Sequence, residues 1–413
     1  MVPNEISKLE LIQARIGFIP KGWQLDKVGE ALNIKNNFRK PISQEVRSLI
    51  PGPYPYYGPT KIQDYIADYE QDGIYALIGE DGDHFLKYET MRQTQFISGK
   101  CTVNNHAHII ESSDTCDSEW FYIYFQHRNI TNFLSRQGAG RFKLNKATLE
   151  KLPMLVPPLP EQQKIANILS TWDKAISTTE RLIENSTQQK KSLMQQLLTG
   201  KKRLLDDEGK RFEGEWEEVS VGSLGKIYSG GTPSTSNTEY WDGDINWITP
   251  TDITKQDSRY INSSLRKITL EGLENSSAKL VPAGSLLICT RATIGAMAIT
   301  SHEMCTNQGF KNIVPNSKTN IEFVYYLLTY NKHRMINKAS GSTFLELSKT
   351  SFESMKFKVP TLPEQQKIAT VLTNADKEIE LLDQQLADLQ QEKKALMQVL
   401  LTGKRRVVVD GES

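Results

Sequence analysis

Two stretches of the chain carry the same alternation of apolar and polar positions. In residues 362–406, Ile368, Leu372, Ala375, Ile379, Leu382, Leu386, Leu389, Leu396 and Leu400 recur in alternating steps of four and three, and Lys393 fills the polar place in the seam. In residues 159–203 the matching places hold Ile165, Leu169, Trp172, Ile176, Thr179, Ile183, Ser186, Lys190, Leu193 and Leu197. An apolar seam that repeats every seven residues predicts a coiled-coil helix. Each helix would run roughly 60 Å at 1.5 Å per residue, too long to bury within one domain. Pro160 and Pro363 suit a first helical position, with Glu161 and Glu364 favoured beside the positive helix end. Gly200 and Gly403, each followed by basic residues, predict the C-terminal stops. The pattern predicts two long helices that pair antiparallel, with a domain near each end. The lysines at equivalent seam places would fix the pairing register at some cost in stability.

The two stretches are also copies of each other. LPEQQKIANIL and LPEQQKIATVL open them, KKSLMQQLLTGKKR and KKALMQVLLTGKRR close them, and the offset of 362 − 159 = 203 needs no gap. Internal duplication dictates architecture before any local reading does. The likeness reaches back into the preceding segments. Asp117 and Asn320 are predicted helix caps before WFYIYF and FVYYLL; RQGAGRFKLNKATLEKL matches ASGSTFLELSKTSFESM; Trp23 pairs with Trp216 and Gly29 with Gly222. The middles diverge, since IPGPYPYYGPTKIQDYI has no counterpart in SGGTPSTSNTEYWDGDINWITPTDI. Apolar runs bounded by glycine, IYALIGEDG and GSLLICTRATIGAMAI, predict strands. The expected fold is α+β: two domains with strongly bent sheets, joined by two long antiparallel helices in a pseudo-twofold repeat. The expected boundaries are a first domain at 1–157, a helix at 158–204, a second domain at 205–360, a helix at 361–406 and a tail at 407–413.

Composition narrows the function classes. Of 413 residues, 24% are charged and 38% hydrophobic, which is globular, and 50 basic residues nearly cancel 49 acidic ones. A net charge of +1 argues against a uniform basic coat, yet nucleic-acid binding needs only a local basic face. Cys101, Cys116, Cys289 and Cys305 form no CxxC pair, and His302 with Cys305 lacks a second ligand pair, so we expect buried free thiols and no metal. No apolar run reaches the length of a membrane span and the start lacks an apolar leader core, so a cytoplasmic protein is expected.

A search for catalytic patterns returns nothing. GSLGK and LTGK have the wrong spacing for a phosphate loop, and there is no GxSxG elbow or HExxH pair. VPPLP lacks the flanking residues that amino-methyltransferases place around their target base. A binding protein is the expected class. The divergent inserts supply suitable polar loops. The first offers Tyr54, Tyr56, Tyr57, Thr60 and Lys61, then Arg92, Gln93 and Gln95, then Asn104, Asn105 and His106, and finally Arg136, Gln137 and Arg141. The second offers Ser229, Gly230, Gly231 and Thr232, then Asn246, Trp247 and Thr249, Arg291 and Thr293, Asn307, Gln308 and Lys311, and Ser342 with Thr343. Arginine matches guanine edges and Asn or Gln adenine edges, while hydroxyls, lysines and glycine-loop amides hold phosphates. The competing expectation is a plain surface turn, with Trp247 or Tyr57 packed beneath a loop.

Duplicated LPEQQKIA…LLTGK segments, one after each of two dissimilar α+β domains, resemble the specificity (S) subunit of type I restriction-modification systems. The likeness spans essentially the whole chain. GGTPST, WITPTDI, CTRATIG and TNQGF resemble motifs of that family's target-recognition domains, and PYYGPTKIQDY with IGEDG resembles another subclass of them. The resemblance implies that each domain reads one half of a split, asymmetric double-stranded DNA target. It implies that the helices space the domains and dock two modification (M) subunits, with restriction (R) subunits joining the full complex. Methyl transfer from S-adenosylmethionine to adenine N6 would belong to M, and ATP- and Mg-dependent translocation and cleavage to R, leaving no cofactor on this chain. The reach between domains would cover on the order of one to two turns of DNA at about 34 Å per turn. Two other readings remain: a non-catalytic coiled-coil adaptor whose domains bind protein partners, and a DNA-modifying enzyme in its own right.

Overall fold

The computed structural model describes residues 6–137, 141–256, 258–340 and 345–409, apart from the side chains of Arg136, Gln137 and Arg141. In chain order the first half carries α1 (Lys8–Gln13), β1 (Gln24–Lys27), α2 (Val28–Ala31), β2 (Asn33–Ile34), α3 (Gln44–Leu49), β3 (Pro51–Tyr57), β4 (Ile62–Ile66), β5 (Gln71–Gly79), β6 (Thr94–Val103), β7 (Ala107–Glu111), α4 (Ser118–Phe125), β8 (Ser135–Gln137), β9 (Arg141–Lys143), α5 (Lys146–Lys151), β10 (Pro153–Val156) and α6 (Leu159–Leu197). The second half carries β11 (Glu217–Ser220), β12 (Gly225–Ser229), β13 (Trp241–Ile248), α7 (Pro250–Thr254), β14 (Tyr260–Ile261), β15 (Lys267–Ile268), α8 (Leu270–Glu274), β16 (Leu286–Cys289), β17 (Met297–Thr300), β18 (Cys305–Thr306), β19 (Phe310–Pro315), α9 (Ile321–Tyr330), α10 (Lys332–Lys338), α11 (Lys349–Glu353), β20 (Lys356–Val359) and α12 (Leu362–Leu400). Each long helix has 39 residues, and the chain leaves each through a left-handed glycine, Gly200 at φ 69° after α6 and Gly403 at φ 67° after α12. Among the described residues, no helix is long and apolar enough to cross a membrane.

The chain divides into two units, each built from more than one stretch of sequence. The first comprises residues 1–180 with 385–413, the second 181–384. Each unit thus holds half of α6 and half of α12, and in each the two halves run antiparallel. In the first unit Asp173 bonds Lys393 and Glu161 bonds Arg406; in the second Asp376 bonds Lys190 and Glu364 bonds Arg203. Every seam residue predicted above is covered. Ile165, Leu169, Ile176, Leu197, Ile368, Leu372 and Leu400 are buried, while Trp172, Ile183, Leu193, Ile379, Leu382, Leu386, Leu389 and Leu396 are half-buried. Leu182 and Leu381, which lie off the seam, are exposed. The apolar stripe therefore selected the packed face correctly.

In the first unit a six-stranded sheet runs in the order β2-β7-β5-β6-β3-β4, mostly antiparallel, with β3 and β6 parallel and a bulged register in β3–β4. Asp117 caps α4 by accepting from Glu119 N at 2.9 Å, as its position predicted. Helix α4 lays Trp120, Phe121, Tyr124 and Phe125 into the core, and Leu400 and Leu401 from the far end of α12 join Ile165 and Leu169 there. In the second unit the sheet order is β12-β19-β16-β17-β14, beside a smaller sheet β15-β13-β18. Asn320 caps α9 through Phe323 N at 2.8 Å, and Leu197 and Leu198 enter this core alongside Ile368 and Leu372. The run GSLLICTRATIGAMAI forms two strands, β16 and β17, rather than one. Ala292 at φ 59° and Gly295 at φ 82° turn the chain between them and present Arg291 and Thr293 on a loop.

Candidate nucleic-acid interface

In the first unit the predicted residues fall into one loop cluster and a separate structural group. Tyr57, Thr60 and Lys61 form the turn between β3 and β4, which closes by Gly58 N donating to Lys61 O at 2.9 Å. Gln95 Nε2 donates to Gly58 O at 2.8 Å, so β6 supports that turn. The β6–β7 turn carrying Asn104, Asn105 and His106 lies against it, since Asn104 N donates to Tyr57 O at 3.0 Å. His106 Nδ1 stands 3.3 Å from Asp81, and Glu80 N donates to His106 O at 2.8 Å. The β8–β9 hairpin joins the cluster through Leu144 N donating to Glu80 O, so the backbone of Arg136, Gln137 and Arg141 is brought nearby. The side chains of those three residues lie outside the described residues.

Arg39 belongs here although the sequence reading did not select it. Its Nη1 donates to Asn105 O at 3.0 Å and to Glu80 at 2.8 Å. Burial pushes the Glu80 carboxyl up, but Arg39 and Lys143 outweigh it and hold the group below the usual carboxylate range. Arg39 and Lys143 are thus partly neutralised from beneath, while Lys61 is exposed at the rim. Position in a polar run, NNFRK, was the available signal for Arg39, and it is weak.

In the second unit four dispersed segments converge. The turn after β12 places Gly230 against the β18–β19 turn and Gly231 against Ser277 and Ala278, so closely that side chains cannot fit. A Cβ on Gly230 would lie 1.9 Å from Asn307 O, and one on Gly231 would lie 2.3 Å from Ala278 N. Gly231 N donates to Thr306 O at 2.9 Å, Thr232 bonds Gln308, and Asn307 N donates to Ile248 O at 3.0 Å. Asn307 Oδ1 accepts from Gly309 N at 2.9 Å, and Arg291 Cβ is near the same glycine. Ser229 is paired with Lys311 in the β12–β19 ladder. Thr249 starts α7 with its N–H donating to Asp252 at 2.8 Å. Arg266, not selected from sequence, is exposed and stacks on Trp241 at 3.8 Å, and its guanidinium is 5.4 Å from the Trp247 ring. Ser342 and Thr343 lie outside the described residues.

Several of the predicted residues are engaged by bonds within the fold. Trp247 is buried and donates Nε1–H to Gly231 O at 2.8 Å, so it supports the glycine turn from below. Tyr56 is buried with its hydroxyl accepting from Ile42 N at 2.9 Å. Gln93 is fully enclosed and donates to Phe125 O and Arg128 O. Asn104 is buried, accepting from His106 N and donating to Gln63. Asn246 accepts from Ser264 N at 3.2 Å and shapes a turn. Burial pushes the Lys311 ammonium below the usual lysine range, and it faces the interior. Arg92 is turned to helix α6, bonding Asp173 at 2.8 Å. The common cause is that polar groups beneath a loop must be hydrogen-bonded, and loops of this length recruit side chains to do it. Among the described candidates Lys61, Arg92, Asn105 and His106 are exposed in the first unit and Thr293 and Gln308 in the second, while Tyr57 and Thr60, and Ser229, Thr232, Asn246, Thr249, Arg291 and Asn307, are half-buried.

A family model described as the type I restriction modification DNA specificity domain matches twice, over residues 20–186 and 213–391. The type I restriction enzyme MjaIX specificity subunit of Methanocaldococcus jannaschii is 39% identical over 168 residues, which is 40% of this chain and 39% of that one. The putative type I restriction enzyme MjaX specificity subunit of the same organism is 26% identical over 422 residues, covering 96% of both chains. Among solved structures, the type I restriction-modification S subunit from M. genitalium superposes with a TM-score of 0.61 at 14% identity, over 93% of this chain and 99% of that one. That superposition supports the fold, and the two family matches, one ending within α6 and the other within α12, identify the chain as a member of the type I restriction modification DNA specificity family.

Proposed function

We propose that the chain is the DNA sequence-specificity subunit of a type I restriction-modification complex, reading a bipartite, asymmetric target in the cytoplasm. The observation that carries this reading is the contrast within the duplication. Two helices of equal length that share about half of their residues accompany two loop clusters of unlike sequence, strand order and chemistry. Such a chain keeps its frame and its partner-facing surface constant while each insert is free to read a different half-site. The first cluster presents Lys61, Asn105 and His106 and the second Arg291, Thr293 and Gln308, a mixture able to address both phosphates and base edges. Two M subunits would dock one to each repeat, with R subunits completing the assembly. S-adenosylmethionine would be held by M, and ATP with Mg by R, so this chain contributes no catalytic group. Because a methylated adenine must leave the base stack, each domain would grip flanking bases while its M partner holds the flipped base.

Mapping methylated adenines in a host that carries this chain with its M partner tests the proposal. Two short specific sequences separated by a fixed, unread spacer are expected. A gel shift with the co-purified methyltransferase separates this reading from a protein-binding adaptor, which would retain the partner and show no sequence preference. Methylation at a single continuous site, or none, would overturn it.

A further inference from the structure

Each helix pair is interrupted by a lysine in its seam, and both lysines meet the same kind of partner. Lys393 is buried and donates to Asp173 at 2.7 Å; Lys190 bonds Asp376. The duplication accounts for this, since 393 − 190 = 203 and 376 − 173 = 203. It does not account for the third member of each group. Asp173 also accepts from Arg92 at 2.8 Å, and Asp376 from Arg259 at 2.7 Å. Their separation is 259 − 92 = 167, so these arginines are not copies of one another. They come from inserts that share neither sequence nor strand order. Arg92 sits just before β6, the second strand of a hairpin, and Arg259 just before β14, an edge strand. Both arginines also reach a tyrosine on a later helix, Tyr122 on α4 at 3.4 Å and Tyr326 on α9 at 2.9 Å.

A carboxylate placed this way ties together two things that are otherwise independent. Its bond to the opposing lysine fixes helix register, because a slip would strand a buried Lys393 or a half-buried Lys190 without its partner. Its bond to the insert arginine fixes the angle at which the loop-bearing sheet sits on the helices of its own unit. We propose that Asp173 and Asp376 are positioning residues that couple helix register to the orientation of the reading loops, each for its own half-site. This rests on the DNA-reading function proposed above. The two groups are not equally protected: the Arg259 side chain is 10% exposed and Arg92 52% exposed. The second unit should therefore depend more strongly on its aspartate.

The test uses the chain in complex with its methyltransferase partner and duplexes carrying the mapped target, with either half-site scrambled or the spacer lengthened by one base pair. For Asp376→Asn we expect discrimination at the second half-site to fall about tenfold or more, with the first half-site still read normally. For Asp173→Asn we expect the reverse pattern with a smaller loss. Both should accept the lengthened spacer more readily. Arg259→Gln and Arg92→Gln leave the lysine–aspartate pair in place and should reproduce the half-site losses, which keeps the test open if an aspartate variant fails to fold. Folded variants, verified by circular dichroism, that retain wild-type discrimination and spacer preference would show a purely structural role and overturn the inference. A wild-type complex blind to both scrambled duplexes would instead overturn the DNA-reading function, and this inference with it.

Discussion

Arg203 grips Glu364 with two guanidinium nitrogens, Nε 2.6 Å from Oε1 and Nη2 2.7 Å from Oε2. The glutamate is buried in the first turn of α12, and the arginine lies just beyond the end of α6. At the equivalent places 203 residues away, Arg406 holds Glu161, which also accepts from Trp23 Nε1 at 2.9 Å. A buried carboxylate at a helix N-terminus gains from the helix dipole, and the planar guanidinium satisfies both its oxygens. The clamp closes each antiparallel pair at its end.

Removing half of this pair should be costly. Glu364→Gln leaves Arg203 without its counter-charge and should lower the stability of the second unit by about 2–3 kcal/mol. Arg203→Lys keeps the charge but loses the fork and should cost less. Urea unfolding followed by tryptophan fluorescence reads the difference, and an unshifted midpoint for Glu364→Gln would mean the clamp contributes nothing.

Gly230 offers a sharper probe of the second loop cluster. A methyl group there would meet Asn307 O at 1.9 Å and Thr306 O at 2.5 Å, so the two turns must separate. Gly230→Ala should weaken recognition of the second half-site by about tenfold or more while the first is read normally. Competition binding with each half-site scrambled in turn checks this, and wild-type preference in the variant would exclude the cluster from recognition.

Arg291 and Trp247 should behave differently although both were candidates for contact. Arg291→Ala should relax or weaken reading of the half-site assigned to the second domain without a large change in stability. Trp247→Phe should cost about 1–2 kcal/mol through the lost bond to Gly231, together with some ordering of the turn. Parallel melting and binding measurements decide between these roles, and a reversed pattern would reverse the assignment.

Helix length should set the spacer. Because the two helices pair antiparallel within each unit, an insertion into one alone leaves seven residues without partners, so a heptad must enter both. Seven residues add about 10 Å of helix, equivalent to roughly three base pairs at 3.4 Å each. Methylation mapping should then return the same two half-sites with a longer spacer. A changed half-site with the spacer unaltered would refute the helices as the ruler.

Stability should also fall in mild acid. Burial pulls the His84 imidazole down to about 4, whereas the unfolded chain titrates near 6.5. The unfolded state therefore takes up the proton first, and as pH drops from about 6.5 toward 4 the first unit loses on the order of 2–3 kcal/mol. His84→Gln should flatten that slope in a urea-midpoint series across the same range. An equally steep slope in the variant would place the titration elsewhere.

The long helices were legible because their signal is local and repeated. Seam residues such as Leu372 and Leu386 announce a packed face by spacing alone, and Gly403 announces the stop. The caps Asp117 and Asn320 were legible for the same reason. The loop clusters were only half legible. Glycine pairs and Asn–Gln runs marked turns that the fold brings together, but a sequence does not say which polar side chain faces solvent and which braces the turn from below. Trp247, Gln93 and Asn104 are spent on backbone groups, and Arg92 on a helix carboxylate.

The sequence by itself determined the duplication, the two long helices with their packed faces, and the kinship with DNA specificity subunits. Tertiary structure alone decided that each unit borrows the end of the other repeat's helix, so that Leu401 completes the first core and Leu198 the second. It alone decided that Arg92 and Arg259 meet equivalent aspartates from unrelated inserts. The physical reason is range. Helix periodicity and capping depend on neighbours within a few residues, whereas burial of a polar group or closure of an ion pair depends on partners brought together from distant parts of the chain.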